Sequence, residues 1–192
     1  MELRVNLERI KRDILELGAI GRNQDDRGIY RMAFTDADMK GKRWLTERIH
    51  SAGLDARTDG ALNISAVLAG TTDQPRILLG SHIDTVPCAG ALDGTLGVVV
   101  GLECLRCLKE NGVNPERTLE MIAFSDEEGR FGGMFGSQAV VGQVNPKSIA
   151  TMKDLNGVLL QDELLRHGHD PVRALDAARD PETIAAYLEL HI

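Results

Sequence analysis

The sequence predicts an α/β domain in which a mixed sheet is flanked by helices. Three observations carry this. Apolar residues recur at three- and four-residue steps in long stretches, short apolar runs of strand length lie between them, and the two periods alternate along the 192 residues. The order reads helix, helix, strand, strand, helix, strand, helix, strand.

Leu3, Leu7, Ile10, Ile14 and Leu17 mark the first helix, with Gly18 as its stop signal. A polar loop runs from Gly21 to Arg31. Thr35 then offers an N-cap with Asp38 three residues on, and Ala37, Gly41, Trp44, Leu45, Ile49 and Ala52 form the inner face of a second helix that Gly53 ends. Leu62, Ile64, Ala66 and Leu68 alternate as in a strand. After a turn at Gly70 to Pro75, Ile77-Leu78-Leu79 is a continuous apolar run, as expected of a strand buried on both faces. Leu96, Val100, Cys104 and Leu108 give a third helix, ended near Asn111-Gly112, and Leu119 to Phe124 is another buried strand. The Gly-rich stretch Gly132 to Gly142 passes into a helix, and Asn145 to Asp180 reads as short helices. Ile184, Ala186, Leu188, Leu190 and Ile192 alternate once more, with Tyr187, Glu189 and His191 on the opposite face. This last strand reaches Ile192 in mid-pattern, so a truncated domain is expected.

Composition narrows the function classes. Hydrophobic residues make up 43% and charged residues 27%, enough for a core and a solvated surface. The formal net charge of -7 argues against broad nucleic-acid binding, which needs a basic face. Met1 to Asp13 lacks the apolar segment of a signal peptide, and Leu96 to Leu102 is too short to span a bilayer, so no membrane partner and a cytoplasmic location are expected. Three cysteines form no framework; Cys104-x-x-Cys107 falls inside a helix and reads as two small packed side chains. No Gly-Lys-Ser/Thr follows the glycines near Gly132, which speaks against a phosphate loop.

Three segments place acids or imidazoles at strand ends, where α/β sheets carry their sites. In Gly80-Ser81-His82-Ile83-Asp84-Thr85-Val86-Pro87, His82 and Asp84 share a strand face, and an imidazole bound to metal through one nitrogen usually donates its other N–H to a carboxylate, which His-x-Asp supplies locally. In Ala91-Leu92-Asp93-Gly94-Thr95, Asp93 is either a helix N-cap or a metal-bridging carboxylate. In Ser125-Asp126-Glu127-Glu128-Gly129, three acids follow a buried strand directly; as a solvated loop they are unremarkable, but a cation would relieve their mutual repulsion.

These pieces, together with Leu-Glu-Leu-His-Ile at 188–192, resemble in order and spacing the amidohydrolase branch of the M20 metallopeptidase family, which holds N-carbamoyl-L-amino-acid hydrolases, allantoate amidohydrolases and β-ureidopropionases. The resemblance implies a di-metal, aminopeptidase-like catalytic domain, incomplete here, with residues 1–192 as its N-terminal portion. The dimerisation domain and the C-terminal part of the catalytic domain would be absent. It also implies His82, Asp93 and His191 as ligands of one metal, Asp93 bridging to a second that Glu128 binds, Glu127 as general base and Asp84 as the orienter of His82. Two divalent ions (Zn, Mn, Co or Ni), a small ureido or amide substrate and a homodimer of the intact protein follow from the same resemblance. Gly129 joins Arg130 directly, where many members carry one residue between. A peptidase or deacylase with the same centre, and a non-catalytic fragment keeping the fold, are the alternatives. As an isolated chain, 1–192 is expected to be inactive or nearly so.

Overall fold

The computed structural model describes residues 2–192; Met1, the first residue of the segment read for a leader, lies outside them. The order is α1 (Leu7–Ala19), α2 (Asp36–Ser51), β1 (Asp55–Thr58), β2 (Ile64–Leu68), β3 (Arg76–His82), α3 (Thr95–Glu110), β4 (Leu119–Phe124), α4 (Phe135–Val140), α5 (Pro146–Thr151), α6 (Leu160–Arg166) and β5 (Ile184–Leu188), with 3₁₀ turns at Pro171–Ala177 and Pro181–Thr183 before β5. The sheet has the order β1-β2-β4-β3-β5. β1 and β2 pair antiparallel, as do β2 and β4, whereas β3 runs parallel to both β4 and β5. The mixed sheet expected from the sequence is therefore present.

The two faces of β4 show how the layers form. Met121 and Ala123 point into a core with Leu17, Leu45, Ile49, Val98, Leu102 and Leu105, which buries α1, α2 and α3 on one face. Ile122 and Phe124 alternate to the other face, where they meet Val140 of α4. A second core gathers Phe34, Phe131, Phe135, Leu160 and Leu164 under the short helices. Phe34 meets Phe135 edge to face at a centroid distance of 6.0 Å.

Several boundaries differ from the sequence reading. Gly18 is buried inside α1, which runs on to Ala19 and caps at Ile20. Leu62 precedes β2 in a turn at φ 64°, its N–H on the Asp59 carbonyl at 3.0 Å. β1 escaped notice because its residues, Asp-Ala-Arg-Thr, carry no apolar alternation, as suits a mostly exposed edge strand. In α3 the stripe Leu96, Val100, Cys104 and Leu108 is only half-buried, while Val98, Leu102 and Leu105 face the core. The final alternation is strand only as far as Leu188, and that strand is an exposed edge rather than a core strand. Among the described residues no helix is long and apolar enough to cross a membrane.

Candidate metal centre

β3 delivers His82 at its carboxyl end, buried to 3% exposure. Its Nδ1 lies 3.0 Å from the backbone carbonyl of Asp84. A carbonyl only accepts, so Nδ1 carries the proton and Nε2 presents a lone pair to the cleft. There Nε2 stands 3.4 Å from His191 Nε2, 3.7 Å from Asp93 Oδ1 and 3.6 Å from Glu128 Oε1. His191 Nε2 and Asp93 Oδ1 are themselves 3.7 Å apart. Ligand atoms at roughly 2.0–2.2 Å from a tetrahedral ion stand roughly 3.3–3.6 Å from one another. The three edges of the His82–Asp93–His191 triangle are close to that size, and the three side chains form a group able to hold a metal ion. Asp93 Oδ1 is buried without a hydrogen-bond partner, an exception that a cation at this point removes.

Local backbone chemistry aims Asp93. It is not the N-cap of α3: Gly94 takes that position, at φ 59° and ψ -46°, with no side-chain cap bond. A Cβ at Gly94 would overlap the His82 ring. Glycine therefore allows both the left-handed backbone and the imidazole to stand over the start of α3.

The acidic run divides its labour. Asp126 adopts φ 55°, is fully buried, and accepts from Phe131 N–H at 3.0 Å. Burial, and next the nearby Asp84 carboxylate, push it up to about 8. Asp84, 1% exposed, accepts the backbone N–H of Glu127 at 3.3 Å and of Glu128 at 3.1 Å. Its nearer carboxylate oxygen stands 3.8 Å from His82 Nδ1, outside hydrogen-bond range, so Asp84 meets the ring through its main-chain carbonyl while its side chain clamps the acidic loop. Burial, then the charge of Asp38, raise Asp84 to about 6. Glu127 accepts from Ser137 twice, from N–H and from Oγ–H, each at 3.0 Å. Burial raises it above the ordinary carboxylate range.

His82, Asp93, Glu128 and His191 thus come together, with Glu127 and Glu128 lining the same cavity of about 560 Å³ as His82 and His191. Gly94, Ser137, Ser81 and Glu189 were not singled out from the sequence. The Asp-Gly pair was a signal for Gly94; the two serines offered none. Away from this cluster, His167 lies against the Phe34 carbonyl at 2.7 Å, and Arg130 pairs with Asp154 at 3.2 Å and Glu163 at 3.4 Å.

An α/β sheet that ends its central parallel strands in imidazoles and carboxylates, arranged at metal-ligand spacing, makes an α/β domain with a candidate metal centre. Residues 63–190 match the model of peptidase family M28, and the chain belongs to that family. That label differs from the M20 name attached to the motifs, but the relatives are the amidohydrolases the motifs resembled. The chain is 38% identical over 189 residues to an N-carbamoyl-L-amino acid amidohydrolase of Geobacillus stearothermophilus, covering 96% of this chain and 46% of that enzyme. It is 32% identical over 187 residues to allantoate deiminase 1 of Glycine max, covering 93% and 38%. A crystal structure of a hydantoinase/carbamoylase family amidase from Burkholderia ambifaria superposes with a TM-score of 0.88 at 30% identity, over 99% of this chain and 46% of that one. The chain therefore spans about half the length of the relatives it matches.

Proposed function

We propose that this chain carries the metal-binding part of a hydrolase that cuts non-peptide C–N bonds in N-carbamoyl-L-amino acids, allantoate or similar small ureido or amide substrates. The observation that carries the reading is the His82–Asp93–His191 triangle, with its unpartnered buried carboxylate oxygen. Imidazole and carboxylate donors suit Zn²⁺, Mn²⁺, Co²⁺ or Ni²⁺. Asp93 and Glu128 would hold a second ion. When bound, the metal makes a water acidic and polarises the substrate carbonyl.

The chain's own residues supply the rest. Glu127 is the general base: its raised proton affinity suits a group that takes a proton from water and passes it to the leaving nitrogen. Ser137 holds both of its oxygens, which fixes its aim. Asp84 accepts from the Glu127 and Glu128 amides together, so one carboxylate anchors the backbone of the base and of the neighbouring ligand.

The test has two arms. Zn²⁺ or Mn²⁺ bound by the chain is expected to be lost in His82→Ala; retention of metal in that variant sinks the centre. Replacing Glu by Gln at the position of Glu127 in a full-length relative is expected to cut ammonia release from N-carbamoyl amino acids by about 100-fold or more. Metal content should stay unchanged, and its loss would mean that Glu127 is a ligand. The family's peptidase name favours a second reading, hydrolysis of a peptide bond by the same centre, and release of a new α-amine without ammonia would support it.

A further inference from the structure

We propose that the hydrogen bond between Ser81 and Glu189 is a latch that positions His191 in the metal site; this rests on the metal-centre reading above. β5 is hydrogen-bonded to β3 only as far as the Leu79–Leu188 pair, so Glu189 to Ile192 leave the sheet just where His191 has to be placed. Leu190 is 51% exposed, so among the described residues its side chain pins the segment little. The His191 side chain is 43% exposed, unlike buried His82.

Besides the approach of His191 to His82, two contacts hold the described segment against β3 and α3. Ser81 Oγ, buried one residue before His82, donates to Glu189 Oε1 at 2.6 Å, across 108 residues of sequence. The Leu190 carbonyl lies over Gly97, at 2.6 Å from where a Cβ would stand, so the backbone rests on the first turn of α3. The second contact only permits a close approach. The first is directional and charge-assisted, and it joins the residue before one imidazole ligand to the residue two before the other. Fixing Glu189 to Ser81 sets the distance between His82 Nε2 and His191 Nε2, which is 3.4 Å. Ser81 and Glu189 are thus positioning residues, acting on the metal through His191, as groups behind a metal's direct ligands commonly do.

Co²⁺ titration of the 192-residue chain, followed by its visible absorption, reads both affinity and coordination. Ser81→Ala is expected to weaken Co²⁺ binding about 10-fold or more and to change the spectrum toward that of His191→Ala. Ser81→Thr keeps the hydroxyl and should remain near wild type, and Glu189→Gln keeps an acceptor oxygen and should lose less than Glu189→Ala. On a His191→Ala background, Ser81→Ala should change affinity by less than about twofold, because the latch then has nothing to place. Equal Co²⁺ affinity in Ser81→Ala and wild type, or an equally large loss on both backgrounds, overturns the latch while leaving the metal centre standing. A wild-type chain with no Co²⁺ site sensitive to His82→Ala overturns the metal centre, and the latch with it.

Discussion

At Asp126 the backbone and the charge are both under constraint. The residue turns left-handed directly after β4 and buries a carboxyl group beside Asp84. Its proton affinity rises from the ordinary 3.8 to about 8, mainly through burial. Between those values the folded chain keeps a proton that the unfolded chain has released. That share of stability is present below about 3.8 and is lost as pH rises through about 8. Asp126→Asn keeps the acceptor for Phe131 N–H and removes the titration. Urea unfolding of both chains in the presence of a chelator should show wild type losing stability relative to Asp126→Asn between about pH 4 and pH 8. A stability difference that stays flat over that interval counts against the buried, protonated carboxyl.

Between elements, α1 and α3 are joined by an ion pair inside the core layer. Arg106 donates to Asp13 at 2.5 Å, with side-chain exposures of 5% and 0%. Glu103 lies 3.8 Å from Arg106 and pairs with Arg9 at 2.6 Å. Arg106→Met leaves Asp13 buried with only Arg12, at 3.2 Å, and should destabilise the chain by about 3–5 kcal/mol in urea unfolding. Asp13→Leu with Arg106→Met removes both charges and should cost less than Arg106→Met alone. A double variant as unstable as the sum of the singles would show that these two residues do not act as a pair. The same network explains why the apolar stripe of α3 misled. Charged Glu103 and Arg106 face inward and partner one another's neighbours, so polarity alone misplaced the buried face.

Across the sheet of the described residues, β5 is an edge strand of uncharged residues. Leu188 is 62% exposed and Tyr187 40%, and among the described residues no strand pairs with their outer side. An unpaired, uncharged edge templates association with another strand. Sedimentation should therefore show concentration-dependent self-association of the 192-residue chain, weakened by Leu188→Lys. Identical sedimentation of the two chains would mean that this edge is not the contact.

Local pattern alone determined the helix–strand alternation, the capped start of α2 at Thr35 and the buried strand β4, whereas His82, Asp93, Glu127, Glu128 and His191 were picked out by the resemblance of the motifs around them to a known family. The alternation, the cap and the strand depend on periodicity or on neighbours a few residues away, which a sequence displays directly. Only the tertiary structure decided the strand order, the phase of α3, the turn of the Asp84 side chain toward the acidic loop, and the need for glycine at 94 beneath the His82 ring. Lys42 shows the reason. Its ammonium sits buried between the Leu62 carbonyl at 3.1 Å and Ser125 Oγ at 2.7 Å, partners 20 and 83 residues away. A side chain's role is set by the groups that surround it after folding, and when those lie far off in sequence no local pattern carries them.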